Sequence, residues 1–451
     1  MQLPTGGSPT PSPTTSGCSL SERQTFAFNT LNEWYLFPET LPASLSGAGY
    51  ATVSDYIDAL TATARAQSRD RFFTYLTSIA QEDAFFSSGA SAGFGVRLSY
   101  DTAARRAFIV EAFEGAPALA AGIDRGDEIL AIGTTAADLR TVSDIIAAEG
   151  SAGVSNALGP STVGLTRTLR ISNASGTRTI AVTKAAYDLP PVSSRYGSRI
   201  LTVGGRQIGS LNLRTFISSA DAQLRSAFAA FRAAGVTEYI VDFRYNGGGL
   251  VATAELMGDL MGANRSGQVF SRTSFRASKA SNNTTHNFSP TSQSVAPTKI
   301  AFIGTGATAS ASELVINSMA AYLGSNVALV GANTFGKPVG QIAVDRAACD
   351  DRIRVVAFAT ASANGTNDYY AGLASKIANT CAAPDDFTHP LGDAQEASIA
   401  QAISFLGGGA CSAIASTDQR PASVRALEGA ATELLIPANP TASQREIPGS
   451  F

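Results

Sequence analysis

Histidine is nearly absent from this chain, with two among 451 residues, and lysine is scarce, with five at positions 184, 279, 299, 337 and 376. Neither His286 nor His389 has a Gly-x-Ser-x-Gly turn to partner it, so a Ser/His/Asp triad is not expected. His-Glu-x-x-His, close cysteine pairs and a Walker-type glycine loop are all missing, which removes the usual signatures of zinc and nucleotide chemistry. No cofactor and no metal are expected. Charged residues make up 15% of the chain and the net charge is -3, with no sustained basic patch, so nucleic acid is not expected as a partner. No apolar run reaches the roughly 18 residues of a spanning helix, and the first residues lack the basic-then-apolar pattern of a signal peptide.

What is present describes a foldable protein of two to four domains, 44% hydrophobic and able to bury sizeable cores. Residues 1–19 open with MQLPTGGSPTPSPTTSG, a Pro/Ser/Thr/Gly stretch that reads as a flexible linker whose upstream part was trimmed. That pattern suits a periplasmic or otherwise exported bacterial protein, and a removed N-terminal segment could have carried a lipid anchor or other membrane tether. The four cysteines fit two disulfides in an exported chain. The polar surroundings of Cys349 and Cys381 favour Cys349–Cys381 and Cys18–Cys411 among the three connectivities.

Residues 20–88 carry helical periodicity, with Phe26, Phe28, Leu31, Trp34, Tyr35 and Leu36, then Tyr56, Ile57 and Leu60, then Phe72, Phe73, Leu76 and Ile79. They form an N-terminal helical domain whose aromatics serve as core. From 89 to 190 the pattern changes to short strands and glycine punctuation. Gly93-Phe94-Gly95-Val96 is followed by Ala121-Gly122-Ile123 and Gly126-Asp127-Glu128-Ile129, an order that resembles a PDZ domain of the bacterial, protease-associated type. The resemblance implies that Gly93, Phe94, Gly95 and Val96 offer N–H groups to a peptide carboxylate while the adjoining strand edge pairs with the peptide.

Residues 191–415 alternate strand and helix, with strands expected at 200–203, 207–213, 238–243, 299–303, 327–330 and 353–358. Helices are expected at 219–234, 252–261 and 312–322. This predicts an α/β core with helices covering a sheet. The polar stretch 265–297 reads as a surface insertion or a flap, and 416–451, with four prolines, as an extended, peripheral tail.

A hydroxyl can be activated by a neutral lysine if burial pulls the amine down from its ordinary value near 10.4. Ser-x-x-Lys does not occur, because the residues three before the lysines are Ala181, Arg276, Ala296, Thr334 and Leu373. The serine must be remote, and Thr308, Ser310 or Ser312 at a helix N-terminus would be well placed. Here Ala309-Ser310-Ala311-Ser312-Glu313, then Thr334-Phe335-Gly336-Lys337 and Gln341, resemble the carboxyl-terminal processing (tail-specific) proteases, Ser/Lys peptidases with a PDZ domain. Val241-Asp242-Phe243-Arg244-Tyr245-Asn246-Gly247-Gly248-Gly249-Leu250 is similar to that family's glycine-loop signature.

The resemblance covers residues 20 to 405. It implies a multidomain fold of helical lead-in, PDZ-like β domain and α/β protease core of the crotonase/Clp-like type. It also implies Ser310 as nucleophile, Lys337 as base, Gln341 and Glu313 as its polar partners, and Gly248 and Ala311 as oxyanion donors. The substrates would be proteins or peptides with accessible C-termini. Ser312 stays open as a rival, since its distance along the chain to Lys337 matches the family better, whereas Ser-x-x-Glu selects Ser310. Gly247 stands where a proline is common and Tyr245 where a smaller residue is usual. Arg244 reads as a structural ion-pair partner. Competing functions are a non-catalytic PDZ scaffold and a binder of small apolar ligands on the same core.

Overall fold

The computed structural model describes residues 15–415, 432–437 and 440–451. Its centre is a six-stranded sheet in the order Ser198–Val203, Arg206–Asn212, Glu238–Asp242, Lys299–Gly304, Val327–Gly331, Asn379–Ala382. The first pair is antiparallel and the rest are parallel. Period-two alternation sorts the side chains. Ile240, Ala301 and Ala328 are aligned on one face, in the cluster with Ile399 and Phe405, while Val241, Phe302 and Leu329 are aligned on the other, in the cluster with Phe228, Met257 and Val315. The first face is covered by helix Ala397–Leu406 and the second by Ala220–Ala233, Val251–Met261 and Ala311–Leu323. The expected strands and helices of the core fall within a few residues of these bounds. Strand Asn379–Ala382 and helix Ala397–Leu406 were not foreseen, the first because it is only four residues of mixed polarity.

A second, antiparallel sheet is built on Asp351–Ala361, which pairs with Tyr75–Ser78, Val269–Phe275 and Val339–Arg346. The polar stretch 265–297 is therefore not a flap. Val269–Phe275 and Thr284–Asn287 form a ribbon on this sheet, and Arg272 Nη1 donates to Ala363 O (2.9 Å). Helices Leu20–Trp34, Val53–Leu60, Ala62–Ala66 and Ile79–Ser88 match the helical lead-in, but its core is not separate. Leu31, Tyr35, Ile57 and Phe73 share one cluster with Val339, Ile353, Val355 and Val356.

Within 89–190, strands Val96–Asp101, Arg106–Ala112, Glu128–Gly133, Thr166–Asn173 and Gly176–Thr183 form one sheet, with helix Val142–Leu158 joining their apolar cluster. That sheet also recruits Glu433–Leu434 from far down the chain. Here the expectation for 416–451 is corrected. Residues 416–431 lie outside the described residues, but Ala442–Glu446 is helical, and Leu435, Ile447 and Phe451 are buried. Among the described residues, Pro437, Pro440 and Pro448 do not keep the segment off the surface of its neighbours.

The disulfides are Cys18–Cys349 and Cys381–Cys411, with Cα separations of 5.6 and 4.6 Å, which corrects both expected pairings. Cys349 sits in the turn Ala347–Cys349 beside the chain's start, where Arg346 Nη1 donates to Glu22 O (2.8 Å) and Arg23 pairs with Asp351 (2.6 Å). Of the expected linker, residues 15–19 are thus tied to the core, and residues 1–14 lie outside the described residues. Cys381 lies on the sheet's last strand, where Ala382 N–H donates to Ser412 O (2.7 Å), so Cys411 arrives alongside. Among the described residues no helix is long and apolar enough to cross a membrane.

Candidate active site

Three neighbouring parallel strands, Glu238–Asp242, Lys299–Gly304 and Val327–Gly331, end side by side. The loops that follow them carry Gly248, Ser310 and Lys337. Crevices at the carboxyl ends of parallel strands are where open α/β sheets bind ligands. The loops are stitched together: Thr308 Oγ1 donates to Phe243 O (2.8 Å), Ala309 N–H to Asn246 O (3.0 Å), and Phe335 N–H to Thr308 O (2.9 Å).

Ser310 caps helix Ala311–Leu323 at φ 57°, ψ -115°, a strained conformation for a residue with a side chain. It is half-buried. Ser312 is fully buried and its Oγ donates to Asn246 O (3.2 Å). The two rival hydroxyls therefore differ: Ser310 keeps solvent access, and Ser312 is committed to the loop beneath it. Gly248, at φ 114°, faces Ser310 so closely that a Cβ there would lie 2.7 Å from the Ser310 Cβ.

Glu313 is buried and accepts four hydrogen bonds. Oε2 receives the N–H of Ser310 (3.0 Å) and of Lys337 (2.7 Å), and Oε1 receives Gly336 N–H (2.7 Å) and Thr334 Oγ1 (2.6 Å). Burial pushes its carboxyl above the ordinary value, and the four donors oppose that. Gln341, on strand Val339–Arg346, accepts from Lys337 Nζ (2.8 Å) and donates its own Nε2 to Phe73 O. The Phe73 ring centroid is 4.9 Å from Nζ. Burial of this amine outweighs the attraction of Glu446, Asp70 and Glu313, so Lys337 is held below the usual lysine range.

Ala311 is the first residue of its helix, so its N–H has no intrahelical acceptor. The Gly248 N–H donates to Asn246 Oδ1 (2.9 Å). Among the described residues no hydrogen bond joins Ser310 Oγ to Lys337 Nζ. Ser310, Glu313, Lys337, Gln341, Gly248 and Ala311 are nonetheless gathered at one place. The Gly93–Val96 loop is elsewhere, at the head of strand Val96–Asp101, where the N–H groups of Gly95 and Val96 donate to Phe451 O (2.9 and 3.2 Å). Among the described residues no group of three or more His, Cys, Asp or Glu is placed to hold a metal ion.

Several participants were not foreseen. Phe73 was read only as core, and it borders the lysine because the lead-in shares the second sheet. Asn246 organises the glycine loop: it is fully buried, and its Nδ2 donates to Leu213 O (2.8 Å). An Asn followed by three glycines was the available signal. Arg244 is bound to Asp242 and, by two 2.8 Å bonds, to Glu396, an ion-pair role as expected. Lys184 is buried as well. Its Nζ donates to Gly159 O (2.7 Å) and Pro160 O (2.8 Å), and burial brings it down to about 7. A depressed amine alone therefore does not single out Lys337, whereas its place beside Ser310 and Gln341 does.

Residues 207–373 match the model of peptidase family S41. The C-terminal processing peptidase, chloroplastic, of Tetradesmus obliquus is 31% identical over 173 residues, covering 36% of this chain and 35% of that protein. The carboxyl-terminal-processing protease of Picosynechococcus sp. (strain ATCC 27264 / PCC 7002 / PR-6) is 27% identical over 258 residues, 55% of each chain. The chain thus spans about half or less of the length of these curated relatives. A solved structure of a candidate S41 protease from Bacteroides fragilis NCTC 9343 superposes with a TM-score of 0.65 at 22% identity, over 85% of this chain and 97% of that one. At that identity the likeness concerns the fold.

Proposed function

From the premise that residues 207–373 form a peptidase family S41 core, in a chain similar to carboxyl-terminal processing proteases, we propose a serine endopeptidase acting through Ser310 and Lys337. The observation that carries this is the Glu313 carboxylate, which binds the N–H of Ser310 and of Lys337 through one oxygen. A buried carboxylate satisfied by both loops fixes the hydroxyl-bearing turn against the amine-bearing turn.

In the reaction, neutral Lys337 takes the Ser310 proton as Oγ attacks the scissile carbonyl, and the amine leaves after receiving that proton. Water then hydrolyses the acyl-enzyme with Lys337 again as base. The Ala311 N–H is free for the oxyanion, and the Gly248 N–H joins it by exchanging its bond to Asn246. Nζ must turn from Gln341 toward Oγ, a small adjustment of the kind that substrate commonly brings about. Burial, which disfavours the charged amine, is what suits this lysine to losing its proton.

Residues 89–190 act as a PDZ-like domain that captures the apolar C-terminal tail of a protein substrate on the Gly93–Val96 loop and the strand beside it. Two disulfides that use all four cysteines support residence in an oxidising, exported compartment. The test is digestion of an unfolded protein by the purified chain, combined with an acylating probe and peptide mapping. Cleavage lost in Ser310→Ala and in Lys337→Ala, with the probe on Ser310, is the expected result. Full activity in Ser310→Ala with loss in Ser312→Ala would move the nucleophile.

A further inference from the structure

The peptide groove of the 89–190 domain is already filled by the chain's own residues. Ser450 pairs antiparallel with Arg97, Leu98 N–H donates to Gly449 O (2.8 Å), and Phe451 N–H donates to Val96 O (2.9 Å). With the two loop N–H groups on Phe451 O, this is the hydrogen-bond pattern by which an extended peptide adds to a sheet edge. The Phe451 side chain joins the apolar cluster of Phe94, Val96, Leu98, Val154 and Leu158 and is only 3% exposed.

Upstream, the same segment crosses the catalytic loops. A Cβ on Gly247 would lie 2.8 Å from Glu446 O and 3.3 Å from Arg445 O, so the main chain of 445–446 rests directly on the glycine loop. Glu446 is also the charged neighbour acting most strongly on Lys337, with Asp70 and Glu313 adding to its attraction and Arg354 opposing it. A carboxylate there works against the lowering of Lys337 by burial, so moving it away favours the neutral, proton-accepting amine.

We propose that residues 441–451 are a built-in ligand that occupies the peptide groove and holds the catalytic site at rest until a substrate tail with an apolar end displaces it. The proposal rests on the peptidase reading above. Displacement is a swap of like for like, because the groove bonds are main-chain bonds that any extended peptide can supply. A cavity of about 490 Å³ lies beside the segment, lined by Gln81, Ser155, Pro160, Thr441, Gln444 and Phe451. A single event then has two effects, since a tail that leaves the groove also takes Glu446 away from Lys337 and uncovers Gly247.

Three chains test this: the full chain, a chain truncated after Pro440, and Phe451→Asp, each also carrying Ser310→Ala for binding measurements. A fluorescent peptide of residues 441–451 should bind both altered chains at least about tenfold tighter than the full chain, because an occupied groove lowers apparent affinity by the fraction that is free. With Ser310 intact, both should cleave an unfolded protein several-fold faster, and added peptide should slow them. Equal peptide affinity in all three folded chains would overturn the proposal. So would loss of native circular dichroism on truncation, which would make the segment a structural strand. Tighter peptide binding with no cleavage by any chain supports the groove assignment and removes the peptidase reading. Cleavage by all three at one rate with unchanged peptide affinity keeps that reading and removes the proposal.

Discussion

Glu313 holds Lys337 by its backbone, through a 2.7 Å bond from the Lys337 N–H, and leaves the amine to Gln341. The same oxygen takes the Ser310 N–H, so Glu313 positions the serine-bearing and lysine-bearing turns relative to each other and makes no direct contact with the amine. Glu313→Gln would place an amide NH2 against donors that have no other acceptor. Charge-assisted hydrogen bonds contribute roughly 1.5–3 kcal/mol each, so a loss of about 2–3 kcal/mol in denaturant-measured stability is expected. Activity should fall on the order of 100-fold, mainly in kcat, because a shift of about 1 Å between reacting groups has that effect. A variant with normal stability and normal kcat would show that the carboxylate is not the joint.

The pH profile should follow the lysine. Burial lowers the value of Lys337, so the neutral, proton-accepting form is reached at a lower pH than for a free lysine. Activity is therefore low in acid and rises as pH increases through a midpoint below the ordinary lysine value of about 10.4. Glu446→Gln removes an attraction that favours the charged amine and should move that midpoint to lower pH. Lys337→Arg stays charged throughout and should be inactive. An activity that falls across the same range would exclude a lysine base.

Much of this site was legible because it is local. Ser310 to Glu313 is one helix start and Lys337 to Gln341 is one strand entry. Each is a short motif on which the resemblance to the processing proteases could rest, although spacing to the lysine alone favoured Ser312. The α/β core was equally legible, since short β-branched and aromatic runs such as Tyr239-Ile240-Val241 and Ala301-Phe302-Ile303, alternating with longer helical patterns, read as buried strands and are so. Long-range partners were not. Phe73 borders Lys337 only because strand Tyr75–Ser78 joins Asp351–Ala361, a pairing between segments whose sequences carry no mark of each other. The disulfides failed for a similar reason: polar surroundings reveal exposure, whereas pairing depends on which turn meets which strand end. The tail was misread because proline count reports local conformation, and Phe451 is buried by a groove that other residues build.

Gly248→Ala should lower activity by about 10²–10³-fold without unfolding the protein. Its φ of 114° disfavours any side chain, and the added Cβ would stand 2.7 Å from the Ser310 Cβ. The loop must move, taking its N–H away from the oxyanion position. Loss of a single such donor reduces kcat by about 10²–10³-fold, and the stability loss should be about 1–3 kcal/mol. Slowed acylation of Ser310 by the probe in parallel with slowed turnover, in a chain of native circular dichroism, would be the specific signature, since both reactions pass through the oxyanion. Wild-type turnover would show that the glycine serves only the turn.

Reduction should weaken the fold unequally at the two disulfides. Cys18–Cys349 spans 331 residues and Cys381–Cys411 spans 30. If each acts by restricting the unfolded chain, the long link contributes about 6 kcal/mol and the short one about 3–4 kcal/mol. The long link, however, ties down the very start of the described chain, where helix Leu20–Trp34 is also pinned by Arg23 to Asp351 and by its packing on Val355 and Val356. Denaturant unfolding of Cys18→Ser and Cys411→Ser separates the two effects. A larger loss in Cys18→Ser means that the lead-in and the core unfold together, as their shared hydrophobic cluster requires. A smaller loss means that the helix undocks first, and because Phe73 belongs to the same lead-in, that undocking should lower activity before the core melts.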